Sequence, residues 1–357
     1  ADRDYPPISR ATMDGIAVNA VTKGPWRIEA TLAAGQPAKP LRDTQSGGVQ
    51  IMTGAEVPSN ADAVVPVEDI ILQGDTATLR EGVDIVRGQN IHAKALDRKR
   101  GDQLLEPGAR LDAPRIAILA ATGHARVRVA RPPRVAILTT GSEVVPVDHP
   151  DIQPAQVRAS NNIGLQAGLR LAGITDFTAE HIPDDEGHTI NAIARALESC
   201  DLLLLSGGVS KGKFDYVPGA LRQAGTHNLF HGVAQRPGKP LWFGRTETAR
   251  VFGLPGNPVS TLTVFRRYVL PFIQLGMGMT PGEPVPVALA TGLSPHPKLT
   301  LLTPCTLHQP AADANAQVRP VEYHGSGDLT ALATSHGFVQ IDPGSSGSGS
   351  FFAWHAG

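Results

Sequence analysis

The sequence predicts an α/β plus β protein: a central doubly wound α/β domain flanked by two small β domains, with a short helical linker region. Three observations carry this reading. Between residues 134 and 275, apolar strand-length runs alternate with helix-length amphipathic runs, the pattern of a parallel sheet covered by helices on both faces. On either side of that region the apolar runs are short and broken by Gly, Pro and Asp, as in small β domains. The 38 Gly and 30 Pro in 357 residues require many turns, and a chain of this length exceeds a single core.

Taken in order, residues 1–20 and 112–131 form the linker and helical region, 21–111 the first β domain, 132–278 the α/β domain and 279–357 a C-terminal β-barrel-like domain. The chain opens without an element of its own, so an N-terminal segment before Ala1 is expected. Asp14-Gly15 reads as a turn into a strand over 16–19. Strands are expected at 26–30, 48–53, 63–68, 76–79 and 103–105. The basic loop 90–102, with Lys94, Arg98, Lys99 and Arg100 around Asp97, reads as a solvated surface. Asp112 caps a helix that runs through 115–121 and stops at Gly123.

The α/β region then reads as strands at 134–138, 177–182, 202–205, 241–244 and 251–254, with helices at 162–171, 189–198, 216–224 and 259–275. Strand 202–205 is apolar throughout, as a strand covered on both faces must be. Beyond the Pro281, Pro284 and Pro286 linker come strands at 285–293, 300–307, 318–321 and 338–341, and the Gly344 to Ser350 run reads as a flexible loop.

Composition excludes several classes of function. A formal net charge of −1 argues against a nucleic-acid binder. Cys200 and Cys305 stand apart, without metal-type spacing, and read as packed thiols. No run is long enough to span a membrane and the first residues are charged, so no membrane association and a cytoplasmic location are expected. The 12 histidines show no His-x-x-x-His spacing, which disfavours zinc.

The chemistry concentrates between residues 201 and 260. Ser206-Gly207-Gly208-Val209-Ser210 and Leu254-Pro255-Gly256-Asn257-Pro258-Val259-Ser260 are small-residue turns directly after apolar strands, and Arg236-Pro237-Gly238-Lys239-Pro240 lies between them. Glycine lets the backbone approach a ligand, and a helix starting beyond it aims free N–H groups at an anion. Arg236 and Lys239 add positive charge. Glu143 and Asp215 are carboxylates of the kind that hold Mg²⁺ beside phosphates, and Asp215 reads equally as a helix cap. These groups, with Thr140 to Glu143, fall at strand carboxyl ends, where open α/β sheets bind ligands. Neither Gly-x-x-x-x-Gly-Lys-Ser/Thr nor Gly-x-Gly-x-x-Gly is present, which disfavours ordinary ATPases and dinucleotide oxidoreductases.

These motifs, with Lys211-Gly212-Lys213-Phe214-Asp215-Tyr216, resemble the signature of the molybdopterin molybdenumtransferases, the family of bacterial MoeA and the gephyrin E domain. The resemblance extends to Met13-Asp14-Gly15-Ile16-Ala17-Val18, Ile51-Met52-Thr53-Gly54-Ala55, Asn60-Ala61-Asp62-Ala63-Val64-Val65, Thr139-Thr140-Gly141-Ser142-Glu143, Asn90-Ile91 with Asp97, and Gly325-Ser326-Gly327-Asp328-Leu329. It implies a molybdopterin-binding, MogA-like α/β domain, four subdomains and a helical N-terminal segment. It also implies insertion of molybdate into adenylylated molybdopterin with release of AMP, aided by Mg²⁺. The implied assembly is a homodimer with its site at the subunit interface, and a MogA-type adenylyltransferase is an implied partner.

By the same resemblance, Asp14, Asp97, Glu143, Asp215 and Lys239 are the catalytic candidates. Thr53, Ser142, Gly207, Gly208, Ser210, Arg236, Pro255, Asn257, Pro258, Ser260 and Ser326 are the substrate-binding ones, and Asp215 with Glu143 the metal ligands. Asp14, Thr53 and Asp97 would come from one subunit and face the α/β site of the other. The chain departs from the family pattern at Ile16, where Tyr is usual, at Arg236 for Lys, at Lys213 for an acid, at Ala95-Leu96 for Gly-Glu and at His92 for Arg. Two alternatives stay open: a molybdopterin adenylyltransferase, and a non-catalytic scaffold of the same fold.

Overall fold

The computed structural model describes residues 1–209, 216–290, 293–308 and 316–354, which fall into two compact units, Ala1–Arg128 and Val129–Gly357. In the first unit the strands are β1 (Arg10–Ala11), β2 (Gly15–Val18), β3 (Trp26–Leu32), β4 (Gly47–Ile51), β5 (Ala63–Pro66), β6 (Ile70–Gln73), β7 (Thr76–Leu79) and β8 (Ile91–His92), and the helix is α1 (Ala113–Ala121). Six of them form a sheet in the order β5-β2-β4-β3-β7-β6, and β1 pairs with β8. Period-two alternation sends Ala17, Val49, Ile51 and Val64 into one core and Ile16, Val18, Ala63 and Val65 into another beneath the buried Trp26. Asp112 caps α1 through its side chain, and Gly123 follows at φ +76°.

The expected strand over 103–105 does not form. Gln103 donates instead to Leu105 O and to Glu106, and among the described residues no strand pairs with it. Strand 63–68 stops early, because Val67–Asp69 turns into a 3₁₀ helix.

The second unit adds β9 (Val135–Thr140), β10 (Val144–Val145), β11 (Val157–Arg158), α2 (Ser160–Leu171), β12 (Phe177–Ile182), α3 (Glu186–Ser199), β13 (Leu202–Ser206), α4 (Val217–Gln223), β14 (His227–His231), β15 (Gln235–Arg236), β16 (Trp242–Arg245) and β17 (Arg250–Leu254). The main sheet has the order β12-β9-β13-β17-β16-β14. It is mixed rather than all parallel: β12, β9, β13 and β17 run together, while β16 is antiparallel to both its neighbours. The cause is a tight connection. Thr246 Oγ1 accepts from Ala249 N and Thr246 N donates to Ala249 O, closing a hairpin where only an antiparallel pair fits.

Strand alternation builds the two cores of this layer. Val135, Ile137, Leu202 and Leu204 face α2 and the helix after β17, whereas Ala136, Leu138, Leu203 and Leu205 face α3 and α4. The helix after β17 is continuous from Pro258 to Gly276, as α5 (Pro258–Val264), a π turn over Phe265–Val269 and α6 (Leu270–Gly276). Cys200 and Cys305 are buried, and burial pushes their thiols up to about 11 and about 12, as inert packed cysteines require.

The remaining elements are β18 (Val285–Leu289), β19 (Thr300–His308), β20 (Gln317–Pro320), α7 (Thr330–Ala333), β21 (Gly337–Ile341) and β22 (Ser348–Ala353). Pairings β19–β20, β20–β18, β18–β22, β22–β21 and β21–β19 close a five-stranded ring, to which β15 attaches along β19. The Gly344 to Ser350 run is not wholly a loop, since Ser348–Ala353 is a strand paired on both sides. Its small residues serve packing: a Cβ on Gly349 would lie 2.7 Å from Val339 Cγ2. Among the described residues no helix is long and apolar enough to cross a membrane.

Candidate active site

The chain passes from β9 through α2 to β12 on one side, then crosses back through α3 to β13 on the other. The carboxyl ends of β9 and β13 therefore splay apart at a switch point, where open sheets leave a crevice. A cleft of about 570 Å³ lies there. Glu143, Gly207, Gly208, Pro255, Asn257 and Pro258 line it, as does Pro240 beside Lys239.

Gly207 sits at φ +95° and Gly208 at φ +64°, and a Cβ on Gly207 would meet Thr140 Oγ1 at 2.7 Å. Glycine is thus required both for conformation and for close approach. The second turn enters the helix at Pro258, with Asn257 in extended backbone. The Asn257 amide does not cap the helix and donates to Ser326 Oγ at 2.6 Å, while Val259 N donates to Ser326 O at 3.2 Å. Ser326 and its neighbour Gly327 thus reach the cleft from the barrel, in a loop braced by Asp328. The Thr330 hydroxyl, the His324 N–H and further hydrogen bonds hold the Asp328 carboxyl down at about 2.

Three cleft groups were not singled out from sequence. Asn161 Nδ2 donates to Ser206 Oγ at 3.0 Å and to Gly256 O at 2.6 Å, tying the two turns together. A carbonyl only accepts, so the amide orientation is set. Asn161 Oδ1 is buried with no partner among the described residues. Asp184 accepts from Ser142 N at 2.8 Å and lines the cleft, while its neighbour Asp185 caps α3. Arg158 is the cation in the lining among the described residues, brought there by the β10–β11 pairing of Val144 with Val157. The polar run Ser160-Asn161-Asn162 at the start of α2 is a local signal for the first of these. Arg158 has none, because its placement depends on a tertiary strand pair. The start of the Pro258 helix has its first N–H committed to Ser326 O, whereas the uncapped start of α2 borders the cleft, a suitable lining for phosphate-like anions.

Other expected residues lie elsewhere. Ser142 is exposed beside Glu143, and Ser260 is buried in the helix, outside the cleft lining. Arg236 is exposed on β15, close enough to Tyr323 to oppose the upward push of burial on that phenol. Lys239 is exposed, without an ion-pair partner among the described residues. Ser210, Lys213 and Asp215 lie outside the described residues.

The first unit carries its own polar cluster. Asp14 Oδ1 accepts from Thr53 N at 2.6 Å and Thr53 Oγ1 at 2.7 Å, and these bonds, the hydroxyl foremost, hold the carboxyl below its ordinary 3.8. Asp97 Oδ1 meets His92 Nε2 at 2.9 Å, in a loop with Ala95 at φ +61°. The structure thus joins Asp14 to Thr53 and Asp97 to His92. Thr53→Val should raise the Asp14 pKa toward its ordinary value, as read by carbon-detected NMR titration. Because the folded-state pKa is depressed, the stabilisation is full above the unfolded value and fades as pH falls through the folded one.

Comparison with known proteins fits this geometry. Residues 1–123 match the family model described as the MoeA N-terminal region (domain I and II), and residues 136–275 match the probable molybdopterin binding domain, which contains the cleft's two turns. Molybdopterin molybdenumtransferase of Synechocystis sp. is 37% identical over 350 residues, covering 96% of this chain and 86% of that protein. Its Bacillus subtilis namesake is 32% identical over 362 residues, covering 97% and 83%. The crystal structure of the molybdopterin biosynthesis MoeA protein from Pyrococcus horikoshii superposes with a TM-score of 0.76 at 26% identity, covering 100% of this chain and 90% of that one. With both flanking and central regions matched along nearly its whole length, the chain belongs to the molybdopterin molybdenumtransferase family.

Proposed function

We propose that this transferase inserts molybdate into adenylylated molybdopterin, cleaving the phosphoric anhydride and releasing AMP. The observation that carries the reading is the switch-point cleft, with its two small-residue turns and the uncapped start of α2, inside the span that matches a molybdopterin-binding domain. Backbone N–H groups at Gly208 and the start of α2 bind and orient the phosphates, and Arg158 and Lys239 neutralise their charge. Asn161 holds the two turns at a fixed separation. Molybdate, a tetrahedral dianion, suits the same donors.

Mg²⁺ favours one or two carboxylates completed by water and phosphate oxygens, so a full protein cage is not needed. Among the described residues no cluster of three metal-binding side chains exists, whereas two carboxylates line the cleft, the exposed Glu143 and the half-buried Asp184 that accepts from Ser142 N. That donor set fits Mg²⁺. Glu143 would hold the ion together with Asp215, which lies outside the described residues. When bound, the ion would supply charge neutralisation at the anhydride.

The reading also makes the active form a homodimer. Asp14 with Thr53, and Asp97 with His92, then face the cleft of the second subunit. The test supplies adenylylated molybdopterin, molybdate and Mg²⁺ and measures AMP and active cofactor. AMP formation dependent on molybdate supports the proposal. Absence of turnover by the full-length protein overturns it, and consumption of ATP with free molybdopterin would assign an adenylyltransferase instead.

A further inference from the structure

The segment that carries Arg236 and Lys239 is held by a buried polar contact that no sequence motif marks. Gln235, which is 1% exposed, accepts at Oε1 from the Tyr268 hydroxyl at 2.5 Å and donates from Nε2 toward Gly238 O at 3.4 Å. Gly238 has no room to move. It sits at φ +92°, and a Cβ there would lie 2.5 Å from Val264 Cγ2 and 2.6 Å from Gln235 Nε2. Its carbonyl also accepts from Leu241 N, and Lys239 O accepts from Val233 N at 2.9 Å. Burying an amide side chain is costly unless both ends are bonded, and both ends of Gln235 are engaged.

Tyr268 comes from the π turn Phe265–Val269 of the long helix. An inserted residue of this kind redirects successive side chains, and such turns concentrate at functional sites. Here three consecutive residues reach out of the helix. Arg266 Nε donates to Ala353 O at 2.6 Å, Arg267 Nε to Gln340 Oε1 at 2.8 Å, and Tyr268 to Gln235. The first two partners are on the barrel strands β22 and β21, and β15 itself pairs with β19. The basic segment is therefore fixed by the same helix turn that seats the barrel.

We infer that Gln235 and Tyr268 are positioning residues: they hold the Arg236–Pro240 turn so that Lys239 stays at the cleft edge, where Pro240 lines the wall. This rests on the proposed role of Lys239 in binding the anionic substrate. Tyr268→Phe removes only the hydroxyl and keeps the ring that Arg267 overlies at 5.1 Å.

The experiment measures KM, kcat and AMP affinity for wild type, Tyr268→Phe, Lys239→Ala and the double variant, with thermal unfolding of each. Loss of one neutral hydrogen bond should weaken AMP binding and raise KM by roughly two- to tenfold. The double variant should bind no worse than Lys239→Ala alone, because the tyrosine acts through that lysine. Multiplying effects in the double variant, or unchanged AMP affinity in a folded Tyr268→Phe, would overturn the inference. Should Tyr268→Phe fail to fold, Gln235→Met, which keeps a similar volume without a buried charge and loses both contacts, takes its place with the same criteria. A wild-type protein without molybdate-dependent AMP release would instead sink the proposed function and leave the AMP-binding comparison standing as a separate result.

Discussion

Replacing Lys239 by alanine is expected to lower kcat/KM for AMP release by about 10²- to 10³-fold, the usual loss when one preorganised charge-stabilising group is removed. The side chain is exposed and lacks an ion-pair partner among the described residues, so its removal strands no buried charge. Stability should stay within about 0.5 kcal/mol of wild type, as for an ordinary surface substitution. The neighbouring backbone explains the placement. Gly238 turns the chain at φ +92°, and Pro240, the residue after Lys239, lies in the cleft wall. Steady-state kinetics with a urea melt separates the two effects.

Gly207→Ala should be the most damaging single substitution in the first turn. The backbone there has φ +95°, and the added methyl would meet Thr140 Oγ1 at 2.7 Å and Thr140 O at 2.8 Å. Left-handed strain of about 1–2 kcal/mol and overpacking of about 1–3 kcal/mol act together, because the carbonyl belongs to β9 and moves only with the strand. A loss of roughly 2–4 kcal/mol in urea unfolding is expected, with the β9–β13 crevice distorted and turnover lost. Gly256→Ala is the internal comparison. Its Cβ would meet only Gly207 Cα, at the ordinary distance of 3.6 Å, so it should fold as wild type.

Much of the α/β layer was legible from sequence because its signals are local. Leu202–Ser206 is apolar on both faces, and Phe177–Ile182 is bounded by Gly173 and Pro183. The two cleft turns were legible for the same reason, since glycine and proline directly after an apolar strand specify backbone geometry. The hairpin at Thr246–Ala249 was not, because it is closed by a threonine hydroxyl rather than by Asn-Gly. The false strand at 103–105 shows the reverse case, a short apolar run with no neighbour to pair with.

Side chains positioned by tertiary structure escaped sequence reading. Arg158 enters the cleft through a strand pair that spans the 146–156 loop. Gln235 and Tyr268 meet across 33 positions with no motif between them. Asn161 joins two turns that are adjacent only once the sheet has formed. The resemblance pointed correctly to the family, and the structure brings the two turns it named to one cleft, while their role and those of Asp14, Asp97, Glu143 and Lys239 are proposals that kinetics must test.

The central claim is that each active site takes Asp14 from one subunit and Lys239 from the other. It is tested most directly by a purified heterodimer of one Asp14→Ala subunit and one Lys239→Ala subunit, carrying different tags. If sites are shared, one of the two is wholly intact and the other doubly defective, so the heterodimer should recover about half of wild-type AMP release although each parent homodimer is nearly inactive. If it is as inactive as its parents, both residues belong to the same subunit's site, and the shared-site account is wrong.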